Sequence, residues 1–315
     1  MKLRFLCLAL TAASAVQAAR PAPEITIPGD KIFPESLTSS ADGSVIFGSI
    51  GARTVFRAKP GSATAEPWIK AGTDGMRSVL GVFADNKSNT LYACSGGFGA
   101  PPPGEGPYVP TLFTFDLKTG ASKGHYVFPN GSGACNDIAV GADGTAYVTD
   151  TANALVLRLK KDAKDLEVWA GEDGEFGAMN VVVDGIAVLG ERVIVNALVT
   201  SKLFSVPIGK DGKAGTVTEI KLDKPISRPD GMRSYGKNTL LIAESGEGGR
   251  VSRVDLTGDN GKHTVLKEGI AGGPVSVTVV GKNVYVLEGQ LGFMMGFAPK
   301  DAKIGPFRAT AIPIK

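Results

Sequence analysis

The chain has 315 residues, 43% hydrophobic and 21% charged, with 42 glycines and 19 prolines. That is enough for a sizeable core, and the glycine and proline load points to many turns rather than long helices. Its 34 basic and 31 acidic residues nearly cancel, which argues against a nucleic-acid binder, where a basic stripe is expected.

In chain order, Met1 to Ala18 reads as a secretory signal. Lys2 and Arg4 form the positive start, Phe5 to Ala13 the apolar run, and Val16-Gln17-Ala18 a small-residue cleavage site. The apolar run is too short to cross about 30 Å of hydrocarbon. Cys7 lies within that run rather than after it, so it does not read as a lipid-anchor cysteine. Residues 19–315 are therefore expected to form one exported domain, periplasmic or secreted, without membrane insertion after signal removal. Its balance is 32 basic against 31 acidic residues. Two cysteines remain in it, Cys94 and Cys135, and an oxidising compartment permits a bridge between them; two buried free thiols are the alternative.

Six segments then repeat one order: a short strand, a Gly/Asn/Asp turn, a β-rich second strand, and one or two more strands. The second strands are Val45-Ile46-Phe47, Thr90-Leu91-Tyr92, Ala146-Tyr147-Val148, Val193-Ile194-Val195, Leu240-Leu241-Ile242 and Val284-Tyr285-Val286. Third strands are expected at Thr54 to Arg57, Leu112 to Phe115, Leu155 to Leu159, Leu203 to Val206, Val251 to Val254 and Met294 to Phe297. Outer strands are expected at Pro67 to Ile69, His125 to Phe128, Glu167 to Ala170, Val217 to Ile220 and His263 to Leu266. The first strands open at Glu35, Leu80, Asn136, Asp184, Asp230 and Val275, in steps of 45, 56, 48, 46 and 45 residues. Four strands per unit at that period predict an all-β, six-bladed β-propeller. Glu24 to Ile27 or Ala311 to Ile314 completes the last blade, and the pattern does not choose between them. The long step holds a Gly/Pro-rich loop, Gly96 to Pro110, with Phe98 and Tyr108; it is expected to overhang the channel mouth. Cys94 ends a second strand at that mouth and Cys135 precedes the next first strand, so a bridge between adjacent blades is expected.

First strands line the central channel of a propeller, so their opening residues face the axis. Leu80 and Val275 are apolar, as a structural channel requires, but Glu35, Asn136, Asp184 and Asp230 are not. Singly, each is an ordinary turn residue facing water. Four in register put three carboxylates and an amide on one axis, where they repel unless a positive charge lies between them. All-oxygen donors suit one hard divalent cation, Ca²⁺ foremost, with Mg²⁺, Mn²⁺ or Zn²⁺ also admissible. His125 and His263 fall on outer strands, which argues against a Ser-His-Asp hydrolase. Asn196 and Glu244, at corresponding second-strand ends, either support the site from behind or simply terminate their strands.

The stretches Pro34-Glu35-Ser36, Asn136-Asp137-Ile138, Asp184-Gly185-Ile186 and Pro229-Asp230-Gly231-Met232 resemble motifs of the senescence marker protein/gluconolactonase family, the regucalcin-like propellers. The run Gly249-Arg250-Val251-Ser252-Arg253-Val254-Asp255 extends the likeness. The resemblance implies a six-bladed propeller holding one divalent cation through Glu35, Asn136 and Asp230, with Asp230 also the acid/base of a lactone hydrolase. Two departures stand out: the family often has Asn where this chain has Asp184, and its sugar-lactone members carry Arg where this chain has Ala134. The expected function is metal-dependent hydrolysis of a lactone or related ester, a small-molecule substrate. The alternative is a non-catalytic exported propeller that binds a ligand or protein around a structural cation.

Overall fold

The strands form where β-branched and aromatic residues alternate between Gly, Asn and Asp turns, and they group into six antiparallel sheets. The structure is a computed structural model that describes residues 20–96, 104–177 and 182–314. The expected signal segment therefore lies outside the described residues, as does Phe98. Blade 1 comprises Pro34–Ser39, Val45–Ser49, Val55–Ala58 and Glu66–Ile69, and blade 2 comprises Ser78–Asp85, Thr90–Gly96, Thr111–Asp116 and Ser122–Val127. Blade 3 is Cys135–Val140, Ala146–Asp150, Leu155–Leu159 and Glu167–Ala170; blade 4 is Val183–Leu189, Arg192–Ala197, Lys202–Pro207 and Thr218–Glu219. Blade 5, Pro229–Tyr235, Thr239–Glu244, Arg250–Thr257 and Asn260–Glu268, gains a short parallel strand, Lys221–Leu222, at its outer edge. Each first strand packs beside the first strands of its two neighbours, blade 6 beside blade 1, which closes the ring. The molecule is a six-bladed β-propeller.

Both termini build blade 6. Pro274–Val280 and Asn283–Glu288 pair in sequence, Phe307–Pro313 is the third strand, and Glu24–Ile27 is the outermost, with Ile27 opposite Phe307. The expected strand Met294 to Phe297 does not form. Leu291–Met294 is a single helical turn entered through Gln290 at φ 51°, and Gly296 has φ 76° just beyond it. These left-handed turns break the extended geometry that a third strand needs. Met294 does pack inward, whereas Met295 and Phe297 are exposed. No helix among the described residues is long and apolar enough to cross a membrane.

Apolar side chains fill the spaces between adjacent blades, as where Phe33 meets Phe307 edge-to-face at 5.3 Å between blades 1 and 6. Cys94 and Cys135 form a disulfide, with 5.1 Å between their Cα atoms, that ties blade 2 to blade 3.

Candidate metal centre at the channel mouth

All six first strands open with the same irregularity. In blade 1 Pro34 pairs with Ser49 and Ser36 with Gly48, so Glu35 is left without a partner. Asn136 and Asp137 are skipped in blade 3, Asp184 and Gly185 in blade 4, and Asp230 and Gly231 in blade 5. Leu80 and Gly81 are skipped in blade 2, and Val275 alone in blade 6. A bulge frees one or two residues from the ladder and re-aims their side chains. The six opening residues expected to face the axis are thus all among those that the register releases.

The glycines at these bulges let neighbouring blades approach. A Cβ on Gly81 would strike the carbonyl of Asn136, one on Gly185 the carbonyl of Asp230, and one on Gly231 the Ser276 side chain. Only a residue without a side chain fits there.

Glu35, Asp184 and Asp230 each present a carboxylate oxygen within 4.8 Å of the other two. Asn136 lies near Asp184 and acts against the rise of that carboxyl's pKa. The amide orientation of Asn136 follows from its surroundings. The Thr151 hydroxyl donates to the Val183 carbonyl at 2.7 Å, so toward Asn136 it can only accept, and Asn136 Nδ2 donates to it at 2.8 Å. That leaves Asn136 Oδ1 as the amide's remaining acceptor. It is buried without a hydrogen-bond donor, as are Glu35 Oε2 and Asp184 Oδ1. Three converging carboxylates, two of them with an orphaned oxygen, and the orphaned amide oxygen of Asn136 fit a hard cation by donor chemistry, since buried acceptors otherwise find donors.

The electrostatics agree. Burial, then Asp137, pushes the Asp184 carboxyl up from 3.8 to about 7, against opposing contacts from Asn136, Asp230 and Arg228. Burial, then Asp184 and Asp137, raises Glu35 well above its ordinary value; burial, then Asp184 and Glu35, does the same to Asp230. At 6–9% exposure these three carboxylates have too little water around them to share a small volume as anions.

Sequence reasoning missed what lies beneath. Arg233 crosses the channel from blade 5 and meets Asp137 of blade 3 at 2.8 and 3.1 Å. It also donates to Ser36 Oγ (3.3 Å), the Leu37 carbonyl (3.2 Å) and the Val82 carbonyl (3.1 Å), joining four blades. This ion pair spans the channel and assigns Asp137 to a structural partner rather than to the cluster. The available signal was an arginine on a first strand expected to line the channel, where a buried charge demands an opposite one.

The second-strand ends support the site from behind. Asn196 Oδ1 accepts from Gly185 N–H at 3.1 Å while its Nδ2 donates to the Asp230 carbonyl at 2.5 Å, clamping two cluster-bearing strands together. Asp150 accepts from Ala134 N–H (2.8 Å), and Glu244 from Ser227 N–H (2.6 Å), each just upstream of an opening residue. Burial would raise the Glu244 pKa, but donors from His263, Ser252, Ser227 and Arg250 outweigh it and hold it at about 2. His263 is committed to Glu244 at 3.0 Å, and His125 lies at the edge of blade 2 beside Asp74 at 3.2 Å. Neither reaches the axis.

Of the loop expected at Gly96 to Pro110, residues 97–103 lie outside the described residues, and residues 104–110 are tied to Arg53 and Arg77. Glu105 pairs with Arg53 (2.6 Å) and Arg77 (3.4 Å), and Arg77 lies over the Tyr108 ring at 5.6 Å. Leu291 and Met294 pack on the apolar clusters that contain Val275 and Leu80, the two apolar openings. The two apolar openings, in blades 2 and 6, thus flank Glu35 of blade 1.

No protein-family profile matches the chain, and no curated protein matches it in sequence. Its fold is shared with solved structures. A gluconolactonase from Xanthomonas campestris is 15% identical with a TM-score of 0.64, covering 92% of this chain and 89% of that one. A luciferin-regenerating enzyme is 11% identical with a TM-score of 0.60, covering 90% and 94%. A streptogramin B lyase is 18% identical with a TM-score of 0.55, covering 91% and 95%. At these identities the likeness is one of fold, and the fold hosts both hydrolases and lyases.

Proposed function

We propose that the protein is a divalent-cation-dependent hydrolase of a lactone or related ester, acting at the carboxylate cluster in the mouth. The observation that carries this reading is the convergence of Glu35, Asp184 and Asp230 with three orphaned buried oxygens. The motif resemblance and the shared fold of gluconolactonases support it. Glu35, Asn136, Asp184 and Asp230 would hold the cation, Ca²⁺ first, with Mg²⁺, Mn²⁺ or Zn²⁺ admitted by the same oxygens. A bound cation would supply Lewis acidity toward the ester carbonyl and an acidified water.

Asp230 is the proton carrier. Gly231 N–H holds its Oδ1 at 3.0 Å, which leaves Oδ2 for the reaction. Asp230 takes a proton from water as the water oxygen bonds to the carbonyl carbon. It returns that proton to the alkoxide oxygen when the ring C–O bond breaks. Export to the periplasm or exterior is part of the same proposal, and the Cys94–Cys135 bridge supports it.

The burial of the three carboxylates favours a second reading, a cation that pins the blades of a non-catalytic binding propeller. A lactone panel assayed with and without cation, on wild type and Asp230→Asn, separates the two. The hydrolase reading expects turnover to fall by on the order of 10²- to 10⁴-fold, with little change in Tm. No cation-dependent turnover by wild type, with Asp230→Asn altering only cation affinity, would support the pin.

A further inference from the structure

Of the arginines among the described residues, all but Arg20 and Arg228 have a carboxylate partner. Arg20 lies at the first described position. Arg228 stands at the channel mouth, two residues before Asp230, and its exposed side chain makes no hydrogen bond or ring contact among the described residues. Its neighbours on that face are paired: Arg53 and Arg77 share Glu105, and Arg250 meets Glu244.

Its backbone, by contrast, is fixed. Arg228 has φ 49°, a left-handed conformation that costs a non-glycine residue energy unless its surroundings impose it. Three hydrogen bonds impose it here. Arg228 N–H donates to Ser201 Oγ at 2.9 Å, and its carbonyl accepts from Ser245 N–H at 2.9 Å and Ser245 Oγ at 3.1 Å. Ser201 belongs to blade 4 and Ser245 to blade 5, so the arginine is anchored at their junction, between Asp184 and Asp230. The corresponding positions above the other acidic or amide openings are Phe33, Ala134 and Val182, none of them charged. The Arg228 charge reaches Asp184 and draws that carboxyl's pKa down against its burial.

We infer that Arg228 is the residue that selects the substrate, by binding an anionic group carried by the lactone or ester in addition to the reacting carbonyl. This deepens the hydrolase reading and rests on it for the reaction, although binding can be tested without turnover. A free guanidinium presents a planar fork matched to a carboxylate. Held at the rim above the cluster, it would dock the carboxylate while the ester carbonyl enters below. The substrate class is therefore a carboxylated lactone or ester rather than a neutral sugar lactone.

The test uses the Ca²⁺-loaded protein and two probe pairs. The first pair is γ-butyrolactone and γ-butyrolactone-γ-carboxylate, assayed for turnover. The second is their ring-opened forms, 4-hydroxybutyrate and 2-hydroxyglutarate, assayed for binding by calorimetry. Wild type should bind 2-hydroxyglutarate more tightly, and Arg228→Gln should lose that preference by on the order of tenfold or more. In turnover, Arg228→Gln should raise KM for the carboxylated lactone by a much larger factor than KM for the neutral lactone. Arg228→Lys keeps the charge without the fork and should recover only part of the preference. A binding preference that depends on Arg228 without turnover of either lactone would sink the hydrolase reading and leave this assignment standing. Absence of the preference in wild type, or its persistence in Arg228→Gln, overturns the assignment.

Discussion

Replacing Asp184 by asparagine keeps the shape of the side chain and removes one negative charge from the cluster. Burial and Asp137 raise this carboxyl from 3.8 to about 7, roughly 3 units. At about 1.36 kcal/mol per unit, keeping Asp184 ionised in the folded, cation-free protein costs about 4 kcal/mol. The sign follows from proton counting: between pH 3.8 and about 7 the folded state binds more protons than the unfolded one. Stability therefore falls as pH rises through that window and levels off above it. In chelator at pH 8, Asp184→Asn should be more stable than wild type by up to about 4 kcal/mol, and at pH 5 most of that gain should vanish. With saturating Ca²⁺ the order should reverse, because a ligand bound only to the native state stabilises wild type by mass action. Urea unfolding at both pH values, with EDTA and with Ca²⁺, reads all four cases. An Asp184→Asn protein no more stable than wild type in EDTA at pH 8, or equally favoured at pH 5, would refute the reasoning.

Glu244 should behave oppositely. Its pKa is held down from 4.5 to about 2, so its contribution of about 3 kcal/mol is present above pH 4.5 and lost as pH falls toward 2. Acid titration of unfolding free energy should be flatter over that range for Glu244→Gln, and an unchanged slope would contradict the assignment. Replacing Cys94 and Cys135 together by serine should cost about 2–4 kcal/mol, since the bridge closes a loop of 41 residues in sequence separation, and unfolding midpoints would show it.

The blade count and the six opening positions were legible because the hairpin turns recur at a steady period and each strand alternates. The last blade was less so. Met294 to Phe297 has the apolar content of a third strand, but Gln290 and Gly296 adopt left-handed conformations that turn the chain into a helical insert. The true third strand, Phe307–Pro313, lies beyond that insert, and Glu24–Ile27 completes the sheet from the other end of the chain. At the bulges the two-residue alternation fails, so the place in the repeat and the family motif, not alternation, single out Asn136 over Asp137. The structure sends Asp137 to Arg233, whose partners come from three other blades, a pairing that no local pattern encodes. Asn196 was visible as a polar strand end, but its clamp on Gly185 and Asp230 depends on how closely blades 4 and 5 approach.

The central claim is that one cation sits where the four bulges converge. Crystals grown with Mn²⁺ and measured at a wavelength that gives manganese an anomalous signal test it directly. The account predicts a single axial peak with oxygens of Glu35, Asn136, Asp184 and Asp230 at roughly 2.0–2.6 Å. No peak at that position, or one that neither Asn136 Oδ1 nor at least two of the three carboxylates reach, would contradict it.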